Sequence, residues 1–170
     1  MSTVFLWRMV ALITAILSGY LTGHVIVLAR YFDWLIANGH AAMLKTTYSV
    51  FRVEGDPVTP YLGSFMVQFA VAVLLLVVGF RQRAHFGNSR LAAAALAALC
   101  LPLSVLVFTL TGFHDIEHDV MSASDLSSAT LETWLTLNVP LHVISAGIYI
   151  AAAMAMLLSD PPHHRRITAP

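Results

Sequence analysis

The sequence predicts an all-α integral membrane four-helix bundle, with an interfacial helical segment between the first and second spans. Three observations predict it. Of the 170 residues, 58% are hydrophobic and 11% charged, where a water-soluble domain carries about 25% charged residues. Four apolar stretches, approximately 4–29, 61–80, 91–113 and 134–158, each reach the roughly 20 residues of helix that a bilayer core requires. Backbone N–H and C=O groups have no water partners in hydrocarbon, which excludes an open sheet. The chain reads as a single membrane domain, 1–170, ending in a basic tail at 159–170.

Taken in order, the first stretch follows Arg8 and is too long for a secretory signal. No clean small-x-small cleavage site follows it, so it reads as a retained span. Gly19 and Gly23 form a G-x-x-x-G pair expected to pack against a neighbouring span, as are Gly147 with Ala151 and the alanines Ala92–Ala95, Ala97 and Ala98. Between the first two spans, Phe32, Leu35, Ile36, Met43, Val50 and Phe51 are spaced among polar residues. That pattern suits a helix lying in the interface, broken at Asn38–Gly39, and Gly55–Asp56–Pro57 is a turn signal leading into the second span. Pro102 and Pro140 are expected to kink the third and fourth helices and release a carbonyl one turn upstream. Trp7, Trp34 and Trp134 lie near predicted interfaces and read as belt anchors. Cys100 is the only cysteine and forms no internal disulfide.

Charge sets the expected orientation. Arg81, Arg83 and Arg90 occupy a short connection with no acid, and Arg165 and Arg166 lie in the tail. The 114–133 connection holds Asp115, Glu117, Asp119, Asp125 and Glu132 with no Lys or Arg. The positive-inside rule then puts both termini and the 81–90 connection in the cytoplasm, with 30–60 and 114–133 facing out of the cell inner (plasma) membrane. A formal net charge of zero gives nucleic acid no electrostatic footprint. The expected partners are the lipid bilayer and a small apolar substrate; the oligomeric state stays open. No internal repeat or inverted pair of broken helices suggests a transporter.

Polar groups at membrane depth are costly and are functional candidates by default. His24 lies near the outer end of the first span. His142 lies about two turns into the fourth, and Asn138, four positions earlier, shares its helix face. In the stretch GFHDIEHDVM, His114 and His118 are also four apart, beside Asp119. Two histidines at that spacing can ligate one metal ion, and a carboxylate can orient a histidine through its second nitrogen. His114, His118 and Asp119 are therefore the candidate metal set, with His24 or His142 able to complete it. The letters H-x-x-E-H match an inverted zinc-protease motif, but nothing else in the chain resembles a protease. The competing reading of this cluster is a solvated helix cap. For His142 it is a hydrogen bond to Asn138, a backbone carbonyl or another helix. A transition metal is thus a candidate cofactor and haem a lesser one, because His24 and His142 are expected about one turn apart in depth. His40, His85, His163 and His164 read as solvated.

Phe113-His114-Asp115-Ile116-Glu117-His118-Asp119, followed by Trp134 and Asn138, resembles the anthrone oxygenase-like family of four-span membrane proteins. In that family the third span ends in a pattern like F-N-x-P-x-N-D and the fourth opens with W-x-x-W-N-x-x-R. Here His114 and His118 stand at the asparagines, Ile116 at the proline, Leu137 at the second tryptophan and Leu141 at the arginine. The resemblance implies oxidation of anthrone-like substrates to quinones, and it places His114, His118, Asp119 and Asn138 on the family's polar outer cluster.

Two classes of function follow. The first is an oxygenase-like oxidoreductase acting on a small apolar or phenolic substrate at the outer side of the bundle. His142 or His114 would be its general base, and Asn138 would donate to the developing oxyanion. The alternative is a non-enzymatic metal-binding or accessory membrane protein that uses the outer histidines as ligands.

Overall fold

The computed structural model describes residues 2–122 and 126–159. Among these, seven helices follow one another: α1 (Thr3–Ala37), α2 (residues 41–54), α3 (Val58–Arg81), α4 (Arg83–Phe86), α5 (Asn88–Leu110), α6 (Phe113–Ser122) and α7 (Ser128–Leu158). No strand occurs among the described residues. Helices α1, α3, α5 and α7 are long and apolar enough to cross a membrane, which gives a multi-pass all-α bundle.

Local chemistry sets the helix ends. Ser2 and Ser127 cap α1 and α7 by accepting from the backbone N–H groups of Phe5 and Thr130 at 3.2 and 3.0 Å. The break after α1 falls at Asn38–Gly39, as the sequence predicts, with Gly39 at φ +75°. Helix α1 outruns its apolar stretch by eight residues, Arg30 to Ala37, because Phe32, Leu35 and Ile36 continue the buried stripe. Both α1 and α2 contain a π-helical turn, His24–Ala29 in the first and Leu44–Ser49 in the second.

The four long helices pack in a ring in chain order, α1 closing against α7. The core face of α1 is Leu6, Val10, Thr14, Leu17 and Leu21, a 4-4-3-4 spacing that follows one side of a helix. That spacing turns Gly19 and Gly23 outward, and a Cβ built on either would meet nothing within 4 Å. Gly147 is equally open. The glycine pairs therefore do not mediate packing inside the bundle, as the sequence suggested. Close approach runs through buried Ala93, Ala94, Ala97 and Ala98, as the sequence predicts, together with Ala72, Ala146 and Ala152. Pro102 and Pro140 sit inside continuous helices, on exposed faces.

Two tryptophans also depart from expectation. Trp7 is buried edge-on against Phe86, at 5.7 Å between ring centroids, and Trp134 is buried as well. Only Trp34 is exposed in the manner of a belt anchor.

Helices α2 and α6 cover one end of the bundle, hereafter the capped end; Arg81, Arg83 and Arg90 mark the other, basic end. At the cap, Ser49 Oγ donates to the Met121 carbonyl at 3.0 Å, and Arg52 pairs with Glu117 at 3.6 Å. The ring of Tyr48, next to Ser49 in the chain, lies 4.6 Å from that of Phe32. Burial pushes its phenol above the ordinary tyrosine range, and Arg52 partly opposes the shift.

Candidate functional site

Below the cap, α1 and α7 meet through a connected set of polar side chains. On α7, Trp134, Asn138 and His142 recur every four residues and share one face. On α1, the facing groups are His24, the Ala29 carbonyl and Asp33. Asn138 Nδ2 donates to the Ala29 carbonyl at 3.0 Å and to Asp33 Oδ1 at 2.7 Å. Trp134 Nε1 donates to the same Asp33 oxygen at 3.0 Å. Both Asn138 partners are acceptors, so its nitrogen must be the atom facing α1 and both of its N–H groups are committed there. The oxyanion-donor role expected for Asn138 is not open to it in this geometry. Asn138 is instead a buried clamp between two spans.

His142 completes the face. Its Nδ1 lies 2.8 Å from the Asn138 carbonyl oxygen. A carbonyl oxygen only accepts, so Nδ1 carries the hydrogen, and in the neutral ring Nε2 keeps its lone pair. The His24 ring stacks on His142 at 4.6 Å between centroids, with 16° between planes. Phe108 and Phe113 present their rings nearly perpendicular to His142, at 5.1 and 6.3 Å. The two histidines lie at the same depth, not a turn apart. The ends of the apolar stretches are no common depth reference, because α1 continues as helix from Arg30 to Ala37, past the end of its stretch. Ligation of one haem iron by both needs each ring edge-on to a metal between them; here the rings lie face to face.

His24 also lines an open groove of about 290 Å³ on the flank of α1, together with Tyr20, Gly23, Val27 and Leu28. The groove wall is apolar apart from the His24 ring and the Tyr20 hydroxyl. All five lining residues belong to α1, one of the helices long and apolar enough to cross a membrane.

The other sequence candidates lie on α6. His114, His118 and Asp119 are exposed, and His118 Nδ1 lies 3.3 Å from Ser122 Oγ and 3.9 Å from Asp119 Oδ1. Glu117 is engaged with Arg52. Among the described residues, no three His, Cys, Asp or Glu side chains gather closely enough to hold a metal ion. No hydrogen bond or ring contact among those residues joins His114 or His118 to His142. His40 and His85 are exposed, as the sequence suggested. His163, His164, Asp125 and the tail from 160 onward lie outside the described residues.

Sequence reasoning missed Asp33. It falls in the 30–60 connection, which the charge pattern places outward. Its signal was its place beside Phe32, Leu35 and Ile36, whose spacing carries the helix, and the acid with it, back toward the bundle.

Comparison with family models, with curated proteins and with solved structures finds no match.

Proposed function

We propose that this chain is a membrane-embedded oxygenase-like enzyme, acting on a small apolar, enolisable or phenolic substrate that enters from the lipid. The observation that carries the reading is the stacked His24–His142 pair, with the His142 tautomer set by Asn138, beside a lipid-side groove. His142 Nε2 is the general base of the pair. A neutral imidazole with its Nε2 lone pair free suits removal of an activated C–H or phenolic proton. Asn138, Trp134 and Asp33 act as positioning residues that fix the His142 turn against α1. The electron-rich anion then reacts with dioxygen. For an anthrone-like CH2 group, two hydrogens leave, one oxygen atom is added as the ketone, and the second leaves as water. The similarity of Phe113–Asp119, Trp134 and Asn138 to the anthrone oxygenase-like pattern points to the same chemistry. A metal-handling role has less support, because the exposed α6 histidines converge with no third ligand among the described residues.

The capped end, in this reading, faces out of the cell membrane and the basic end faces the cytoplasm, following Arg81, Arg83 and Arg90. Reporter fusions at residue 86 and at residue 126 test that orientation, and a periplasmic signal at 86 would reverse it.

The activity test is dioxygen uptake and quinone formation by the protein in liposomes, with anthrone as probe. Wild type is expected to exceed empty liposomes, and His142→Gln to fall by about 100-fold or more, in keeping with loss of a general base. Wild type no faster than empty liposomes sinks the enzymatic reading for this substrate class. Full activity in His142→Gln removes His142 from its role.

A further inference from the structure

Several serine and threonine hydroxyls in the membrane-crossing helices turn back onto their own backbone. Ser18, Thr22, Ser64 and Thr109 each donate to a carbonyl three or four residues earlier, at 2.7–2.9 Å. This is the ordinary way a serine or threonine is satisfied in a helix without water. Ser104, Ser145 and Tyr149 do not follow it. Their hydroxyl oxygens are buried with no protein group in hydrogen-bond range, and Gln68 Oε1 shares that state. Gln68 and Tyr149 are fully buried and Ser145 is 4% exposed.

These atoms belong to one region. Gln68 Nε2 donates to Thr14 Oγ1 and to the Ala97 carbonyl, both at 3.0 Å, which ties α3 to α1 and α5. Phe65, one turn from Gln68 on α3, meets the Tyr149 ring edge-on at 5.4 Å. Cys100 Sγ lies 3.9 Å from the Ile148 carbonyl, which sets α5 beside α7. Ser104, one turn from Cys100 toward the capped end, is thereby brought level with Ser145, since the two helices run antiparallel. The surrounding core is Ala94, Ala97, Ala98, Ala146, Ala152 and Leu17, none of which offers a side-chain partner.

A buried oxygen in hydrocarbon without a partner is costly, and native proteins fill such sites with bound water, which needs two to four polar neighbours. We propose that ordered water molecules sit between α3, α5 and α7, hydrogen-bonded to Gln68 Oε1, Tyr149 Oη, Ser104 Oγ and Ser145 Oγ. The inference stands apart from the catalytic reading. With this water in place, Trp134, Asn138, His142, Ser145 and Tyr149 form a polar line on α7 about 22 Å long at 1.5 Å per residue. That is well over half the thickness of a bilayer core.

The test is radiolytic hydroxyl-radical footprinting of the purified protein in lipid nanodiscs, read by mass spectrometry. Radicals generated from bound water oxidise the side chains beside it, whatever their exposure. Tyr149 is expected to be modified several-fold faster than Phe113, an aromatic equally buried but outside the region. A Tyr149 rate no higher than that of Phe113 overturns the proposal. Thermal unfolding of Tyr149→Phe gives a second, independent readout. Loss of a hydrogen bond to water lowers Tm by about 2–4 °C. Removing a hydroxyl from a dry site leaves Tm unchanged or raises it, which also overturns the proposal. If that variant fails to fold, the wild-type footprint decides alone.

Discussion

Asn138 Nδ2 donates to the Ala29 carbonyl at 3.0 Å, and Ala29 is the last residue of the π turn in α1. A π turn interrupts the regular i→i−4 ladder, and such turns cluster at functional sites. A side-chain amide from the facing helix supplies a donor at this one. The backbone irregularity, the buried asparagine and the neighbouring acid are therefore one structural unit.

The first prediction concerns that unit. Asp33 Oδ1 accepts from Asn138 and from Trp134, so Asp33→Ala strips an acceptor from two buried donors. Hydrogen bonds between membrane helices couple by about 0.6 kcal/mol on average and up to about 1.7. A double-mutant cycle with Asp33→Ala and Asn138→Ala, read by unfolding in mild detergent, is expected to show coupling in the upper part of that range. Additive single effects would mean the contact carries no net energy.

Gly87 adopts φ +82° and ψ 156° between α4 and α5, a conformation essentially confined to glycine. Gly87→Ala is expected to destabilise by about 1–3 kcal/mol. Gly19→Ala faces open space and should stay within about 0.5 kcal/mol of wild type. Equal effects in thermal melts of the two variants would contradict the assigned backbone geometry.

At the cap, Arg52 and Glu117 are about one-third exposed and 3.6 Å apart. An exposed pair of this kind contributes about 0–1 kcal/mol, weakened further by salt. Arg52→Ala should cost little at low ionic strength and nothing measurable near 1 M salt. A large, salt-insensitive loss would show that the arginine stem, not its charge, holds α2 to α6.

His114 and His118 are exposed on α6 and meet no third ligand among the described residues. Elemental analysis of protein purified without chelators should find transition metal well below one equivalent, unchanged in His114→Ala/His118→Ala. One equivalent, lost in the variant, would restore the metal reading.

How much of this was legible beforehand differs between the fold and the site. The four spans were readable because a bilayer imposes a length and a composition that little else satisfies. Asn138 and His142 were readable as a pair, because helical spacing puts them on one face. Asp33 was not, since a charge counted past the end of an apolar stretch looks solvated until the helix is seen to continue. Gln68 was visible as a lone amide in the second span and was passed over, its importance resting on Thr14 and Ala97, each on another helix. Gly19 and Gly23 misled for a related reason: small residues permit close packing on whichever side they occupy, and only the leucine stripe says which side is inside.

The π turn has one more consequence. Because it holds more residues per turn than an α-helix, it shifts the reading frame of helix faces. Before it, Leu17 and Leu21 point inward; after it, Ala29, Phe32 and Ile36 do. Deleting one residue between His24 and Ala29 would remove the turn and keep that phase, but winding the same residues as regular α-helix would rotate everything beyond it by about 100°. Asp33 would then leave the helix interface and face lipid while every downstream residue kept its identity. The placement of this acid thus depends on the backbone turn as much as on the aspartate itself.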